Sequence, residues 1–182
     1  EVGEVAGGRR QHAGQLQGFF RRTVVLVCEH DPEGAFGLVL NKSTGNTIRE
    51  MIIADMPDGL KDHALYLGGP VQPNALSYLH SDNFIADATV MPNLSLGHSL
   101  DELVDLGESF SPTCQLRIFA GYAGWSPGQL EEEMKRDAWV VHPATLDLVF
   151  HAKPETLWKT ILLEKGLKYR LLAEAPEDPA KN

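Results

Sequence analysis

A chain of 182 residues can bury one substantial core, and 43% hydrophobic with 23% charged residues excludes a disordered polymer. A formal charge of −9 opposes nonspecific attraction to nucleic-acid backbone or anionic lipid. The longest apolar run, Val24 to Cys28, falls far short of the roughly 20 residues of a membrane helix.

No pattern of charge, apolar core and small cleavage residues opens the sequence. Cys28 and Cys114 belong to no C-x-x-C pair, so neither a structural zinc site nor a disulfide framework is expected. Two reduced, buried thiols suit a cytoplasmic location.

Residues 1–18 are polar and Gly-rich and show neither a period of 2 nor one of 3.6, so they are expected to be irregular. "TVVLVCE" from Thr23 to Glu29 is β-branched and nearly all apolar, as a strand covered on both faces must be. "HDPEG" supplies a turn and "AFGLVLN" resumes as a strand, so Thr23 to Asn41 reads as a hairpin with a long turn. Thr47 opens "TIRE", a Thr-x-x-Glu capping box that starts a helix through about Ile53, ended by "MPDG".

"ALYLGGPVQPNALSYLHS" reads as strand, Gly-Gly-Pro turn, strand. Ser99 and Glu102 form a second capping box, with a stop at Gly107. "TCQLRIFAGYAGW" is a strand running into a glycine loop. Ser126 then stands at an N-cap, Pro127 at the first helical position and Gln129 three after the cap. Leu130 and Met134 share the inner face of that helix. "AWVV" and "LDLVF" read as strands, "PETLWKTILLEKG" as a helix stopped at Gly166, and the charged, Pro-rich tail from Glu174 as disordered. Irregular alternation with two hairpins predicts an α+β domain with a mixed sheet, spanning about 19–173 between the irregular first segment and the tail 174–182.

Three stretches together resemble the YqgE/AlgH family of bacterial proteins: "FFRRTVVLVCEHDPEGAFGLVLNK" (19–42), "LYLGGPVQPNALSYLHS" (65–81) and "FAGYAGWSPGQLEEEMKRDAWVV" (119–141). The resemblance implies a single α+β domain whose bent mixed sheet forms a pseudo-barrel with flanking helices. It implies little function: the family is largely uncharacterised, and its transcriptional-regulator label comes from a genetic link to alginate production. It carries no catalytic residue, cofactor or substrate. The family has a short apolar strand before the segment matching Phe20, where this chain reads "GGRRQHAGQLQ". Either the strand is lacking or the stretch is aberrant, for example through a reading-frame error.

"GYAGWSPGQ" has the glycines and helix start of an anion loop, but Glu131, Glu132 and Glu133 make its field negative. It is neither a Walker loop nor a dinucleotide fingerprint, and a glycine turn before a capped helix is the favoured reading. Tyr122 and Trp125 suit either a pocket rim or core packing. "CEH" places Cys28 and His30 on one strand face with Glu29 opposite; with His80 or His98 it would make a zinc site or a nucleophile pair, although a buried Cys and a turn His are favoured.

Asn41, Lys42, Gly69, Gln72 and Tyr122 are the candidate polar cleft, because strand ends and loops collect binding residues. No catalytic residue, metal ligand or cofactor is assigned. The expectation is a cytosolic binding or regulatory protein acting through a protein partner or small ligand. The alternatives are an enzyme, for instance a hydrolase with His30 or His80 as base, and direct DNA regulation. The last is disfavoured: basic residues gather only at Arg9, Arg10, Arg21 and Arg22, without a recognition helix.

Overall fold

The run that opens the first hairpin is buried on both sides. The computed structural model describes residues 4–8, 18–52, 55–82, 88–108 and 114–175. In it β2 (Val24–Asp31) sends Val24, Leu26 and Cys28 into one apolar cluster and Val25 and Val27 into another. Its partner β3 (Gly34–Val39) returns after only Pro32 and Glu33, a tighter turn than expected, held by Glu33 N–H donating to Asp31 Oδ1 at 2.8 Å.

The segment expected to be irregular contributes a strand. β1 (Glu4–Gly8) pairs antiparallel with β2 on one side and β10 (Trp139–Pro143) on the other. "EVAGG" has no strand period of its own; two flanking strands offer it unpaired backbone groups, and ladder hydrogen bonds need no particular side chain. The remainder of "GGRRQHAGQLQ" after Gly8 lies outside the described residues.

β4 (Ser43–Thr47), β5 (Ala64–Leu67), β6 (Val71–His80), β7 (Ala88–Met91), β8 (Leu94–Gly97) and β9 (Leu116–Trp125) complete the sheet. The path runs β10-β1-β2-β3-β9-β6-β8-β7, with β5 joined to β9 in parallel and β4 joined to β5. The Gly-Gly-Pro turn therefore closes no hairpin: β5 and β6 lie on opposite sides of β9. β9 bends at Gly121, whose φ is +69°, and β6 carries a wide register shift opposite that bend, between Val71 and Leu76. These irregularities curl the mixed sheet into a pseudo-barrel.

The helices cover three apolar clusters. α5 (Leu146–Phe150), α6 (Pro154–Glu164) and α7 (Leu167–Glu174) pack on the first, with Leu26, Leu38, Leu79 and Phe119. α4 (Gln129–Lys135) covers the second through Leu130. α1 (Ile48–Met51), α2 (Asp58–Lys61) and α3 (Leu100–Glu108) cover the third. Each fully buried leucine contributes roughly 1.5–3 kcal/mol.

The Thr47–Glu50 capping box is present. α1 is shorter than expected, ending at Met51 with Ile52 extended, and Ile53 lies outside the described residues. Ser99 Oγ accepts from Glu102 N–H at 3.3 Å. Gly107 does not stop α3; it lies inside the helix, where a Cβ would press on Leu60 of α2.

"LDLVF" is helix, not strand. Thr145 Oγ1 accepts the Leu148 N–H at 3.2 Å, and this N-cap outranks the β propensity of the run. Glu174 is the last residue of α7 rather than the start of a tail; residues 176–182 lie outside the described set.

Candidate functional site

The two glycine motifs meet. Gly68 N–H donates to the Ala120 carbonyl at 2.9 Å while its own carbonyl accepts from Val39 N–H at 2.8 Å. The chain then passes across β9: a Cβ on Gly69 would overlap the carbonyl of Tyr122, and one on Gly121 would overlap the carbonyl of Gly69. "LGGP" and "FAGYAG" are thus the two sides of one backbone crossing, which glycine alone permits at contact distance. This accounts for Gly121 of the 119–141 stretch as structure, whereas a Cβ on Gly124 would meet the Tyr122 ring at 3.3 Å and one on Gly128 meets nothing within 4 Å.

Of the five residues read as a cleft, Gly69, Gln72 and Tyr122 stand at this crossing. Gly69 is buried; Gln72 is exposed with φ of +44°; Tyr122 stacks on Phe36 with ring centroids 4.9 Å apart. Asn41 and Lys42 lie at the end of β3. Asn41 uses both ends of its amide on backbone, accepting from Val24 N–H at 2.7 Å and donating to the Arg22 carbonyl at 2.8 Å. The Lys42 ammonium sits 4.0 Å from the Phe19 ring centroid, and burial holds it below the ordinary lysine value. Lys42 joins the crossing only through its backbone, whose carbonyl accepts from Leu67 N–H at 2.8 Å.

Cys28 and His30 do not share a face. A β-bulge between Val27 and Glu29 shifts the alternation by one residue. Cys28 stays with Leu26 in the first cluster, whereas His30 stands opposite Ala35, which packs against the second. Burial, reinforced by Glu29, pushes the Cys28 thiol far up, and its Sγ donates to the Leu26 carbonyl at 3.6 Å. His30 Nε2 is 2.7 Å from Glu131 Oε1 on α4. Among the described residues no three His, Cys, Asp or Glu side chains converge as a metal-ligand set.

The helix after "GYAGW" begins later than its capping box suggests. Gly128, at φ +75°, separates Ser126 from the first helical residue, Gln129. Half the box survives, since Gln129 Oε1 accepts from Ser126 N–H at 3.0 Å. Glu133 accepts from Trp125 Nε1 at 3.0 Å, Trp139 Nε1 at 2.7 Å and Gln129 Nε2 at 2.9 Å. The two indoles meet edge to face at 5.9 Å. Trp125 is therefore a core residue tied to α4.

Two arrangements escape the sequence because only strand register creates them. Pairing of Tyr78 with Gly97 sets Ser77 beside His98, and Ser77 Oγ lies 3.0 Å from His98 Nδ1. Ser77 is only 2% exposed, and the His98 ring otherwise meets the edge of Phe36. Arg117, 6% exposed, points into the first cluster's face, with its guanidinium 4.1 Å from the Tyr66 ring centroid and Nη1 donating to the Val149 carbonyl at 2.7 Å. His80, fully buried, lies on the other face of β6, beside Tyr78.

Comparison with known proteins places this architecture. The model of the AlgH-like family matches residues 12–170. A UPF0301 protein of Chlorobium luteolum is 36% identical over 173 residues, covering 93% of this chain and 90% of its own. A UPF0301 protein of Chlamydia caviae is 39% identical over 165 residues, covering 89% and 86%. The solution structure of AlgH from Pseudomonas aeruginosa superposes with a TM-score of 0.73 at 27% identity, covering 96% of this chain and 94% of that one. A Corynebacterium diphtheriae crystal structure shares the fold with a TM-score of 0.70 at 21% identity, covering 96% and 92%. The chain belongs to the AlgH-like family, as the three quoted stretches indicated.

Proposed function

We propose that this is a cytosolic binding or regulatory protein that acts through a protein partner or a small ligand and performs no catalysis of its own. The observation that carries this reading is the use made of the reactive side chains in the signature stretches. The bulge at Cys28 buries the thiol and turns His30 to the opposite face, where Glu131 holds it. Gly68, Gly69 and Gly121 serve a backbone crossing and Glu133 anchors two tryptophans. Cys28, His30 and Glu133 are thus each committed to packing or to a fixed partner.

Capture from native cytosol on the immobilised protein tests it, with mass-spectrometric identification of proteins and small molecules. One partner or ligand retained in near-stoichiometric amount, and returned unaltered, is the expected result. Release of a chemically altered ligand contradicts it.

The Ser77–His98 contact favours a second reading, a hydrolase with His98 rather than His30 or His80 as base. Against it stands the burial of Ser77. A serine-directed fluorophosphonate probe labelling Ser77, with labelling lost in His98→Ala, would establish that reading.

Direct DNA regulation is disfavoured by the charge of −9 and by α4, whose first turn carries Glu131 and Glu132. A mobility shift against a genomic fragment library at physiological salt should give no sequence-specific complex near the roughly 10⁻⁸ M of true repressors.

A further inference from the structure

α7 carries apolar residues on two faces. Tyr169, Leu172 and Ala173 pack into the first cluster. Leu167 and Leu171, one turn apart, lie on the opposite face. At 76% and 67% they are the two most exposed large hydrophobic side chains among the described residues. A single surface leucine is ordinary, but a pair on one helix face makes a patch that burial would stabilise. Lys168 and Arg170, both exposed, flank the pair on a chain of net charge −9. An apolar stripe with cationic sides is complemented by an apolar stripe with acidic ones.

This chain carries such a surface. α3 holds Asp101, Glu102, Asp105 and Glu108 and no basic residue. Its Leu103 and Leu106 are buried in the third cluster, whereas Leu100 is 41% exposed and Val104, one turn on, is half-buried. Exposed Asp101 and Asp105 run alongside that second pair. α7 covers the first cluster and α3 the third, and Leu167, Leu171 and Leu100 stay exposed, so within one chain neither helix covers the other.

We infer that α7 of one molecule docks on α3 of a second copy. Leu167 and Leu171 pack against Leu100 and Val104, while Lys168 and Arg170 meet Asp101 and Asp105. A second copy is favoured over a foreign acidic helix because the complementary surface is already present on the chain. The contact is heterologous: every pair leaves one α3 and one α7 unused, so assembly continues until a ring closes or the chain of copies ends. Both stripes are short, so the association is weak and reversible. It stands apart from the partner or ligand sought in the cytosol capture, and its failure leaves that reading untouched.

Sedimentation equilibrium of the full chain, from micromolar to millimolar concentration, tests it. The weight-average mass should rise about twofold or more above that of a single chain. Association should weaken several-fold in ~1 M sodium chloride, where the Debye length is about 3 Å. Leu171→Glu removes the α7 face and leaves α3 intact; Asp101→Lys with Asp105→Lys does the reverse. Each variant alone should sediment as a single chain. An equimolar mixture of the two should regain association but stop at the dimer, since only one working α7 face and one working α3 face meet. If Leu171→Glu does not fold by circular dichroism, Arg170→Glu takes its place.

A wild-type chain that stays single throughout overturns the inference, as does association unchanged in both variants. Variants that remain single when mixed overturn the pairing of α7 with α3. A single wild-type chain retained by phosphatidylglycerol vesicles, and released in Leu171→Glu, would give the α7 stripe to a lipid surface instead.

Discussion

Glu133 reads in the sequence as one of three acids near a helix start, placed there by the helix dipole. Its neighbours Glu131 and Glu132 are exposed, but Glu133 turns inward and takes both indole N–H groups of Trp125 and Trp139. Both rings are less than a tenth exposed, at 7% and 8%. Removing the carboxylate leaves two buried donors without an acceptor, at about 1–3 kcal/mol for each. Glu133→Ala should therefore lower unfolding free energy by roughly 2–6 kcal/mol in chemical denaturation, whereas Glu133→Gln, which keeps an acceptor oxygen, should lose less. Equal losses in the two variants would assign the effect to packing rather than to the indole bonds.

At the scale of the element, two helix starts reverse their sequence readings. Ser126 stands in a cap sequence, but left-handed Gly128 delays α4 and only the reciprocal Gln129 bond forms. Thr145 precedes a run that looks like a strand, yet it caps α5 through Leu148 N–H. Thr145→Ala should thus cost about 1 kcal/mol and raise hydrogen exchange at Leu148, while Ser126→Ala should stay within about 0.5 kcal/mol. Melting curves of the two variants decide it; a larger loss from Ser126→Ala would restore the sequence-based cap. β1 shows the same limit from the other side. Its five residues lack an apolar period, and their conformation comes from the pairing positions left between β2 and β10.

For the whole molecule, the legible parts were those encoded locally: the doubly buried run Val24–Cys28, the Thr47–Glu50 box, the stop at Gly166 and the α+β class. The illegible parts depend on which segments lie together. Alternation places Cys28 and His30 on one face until a bulge intervenes, and nothing near Arg117 in the chain announces Tyr66 or Val149. The same holds for pH response. His63 is lowered by burial, and His142 by burial and then by Lys165, so the unfolded chain takes up protons first as pH falls. The stability they confer is complete above their ordinary value of 6.5 and is lost as pH falls below it through the folded values. The melting temperature should fall between about pH 7.5 and pH 5, and less steeply in a His63→Gln, His142→Gln double variant. Identical slopes would assign the effect to other groups.

The crossing of the Gly68–Gly69 segment over Gly121–Tyr122 gives these glycines a structural role in the bent sheet. The unfolding midpoint of Gly69→Ala tests this most directly, with Gly18→Ala as control because a Cβ there meets nothing within 4 Å. Gly69→Ala should lose about 4 kcal/mol or more, or show no cooperative transition at all, while the control stays near neutral. A Gly69→Ala protein that melts like wild type would contradict the crossing and return the glycine motifs to the search for a ligand.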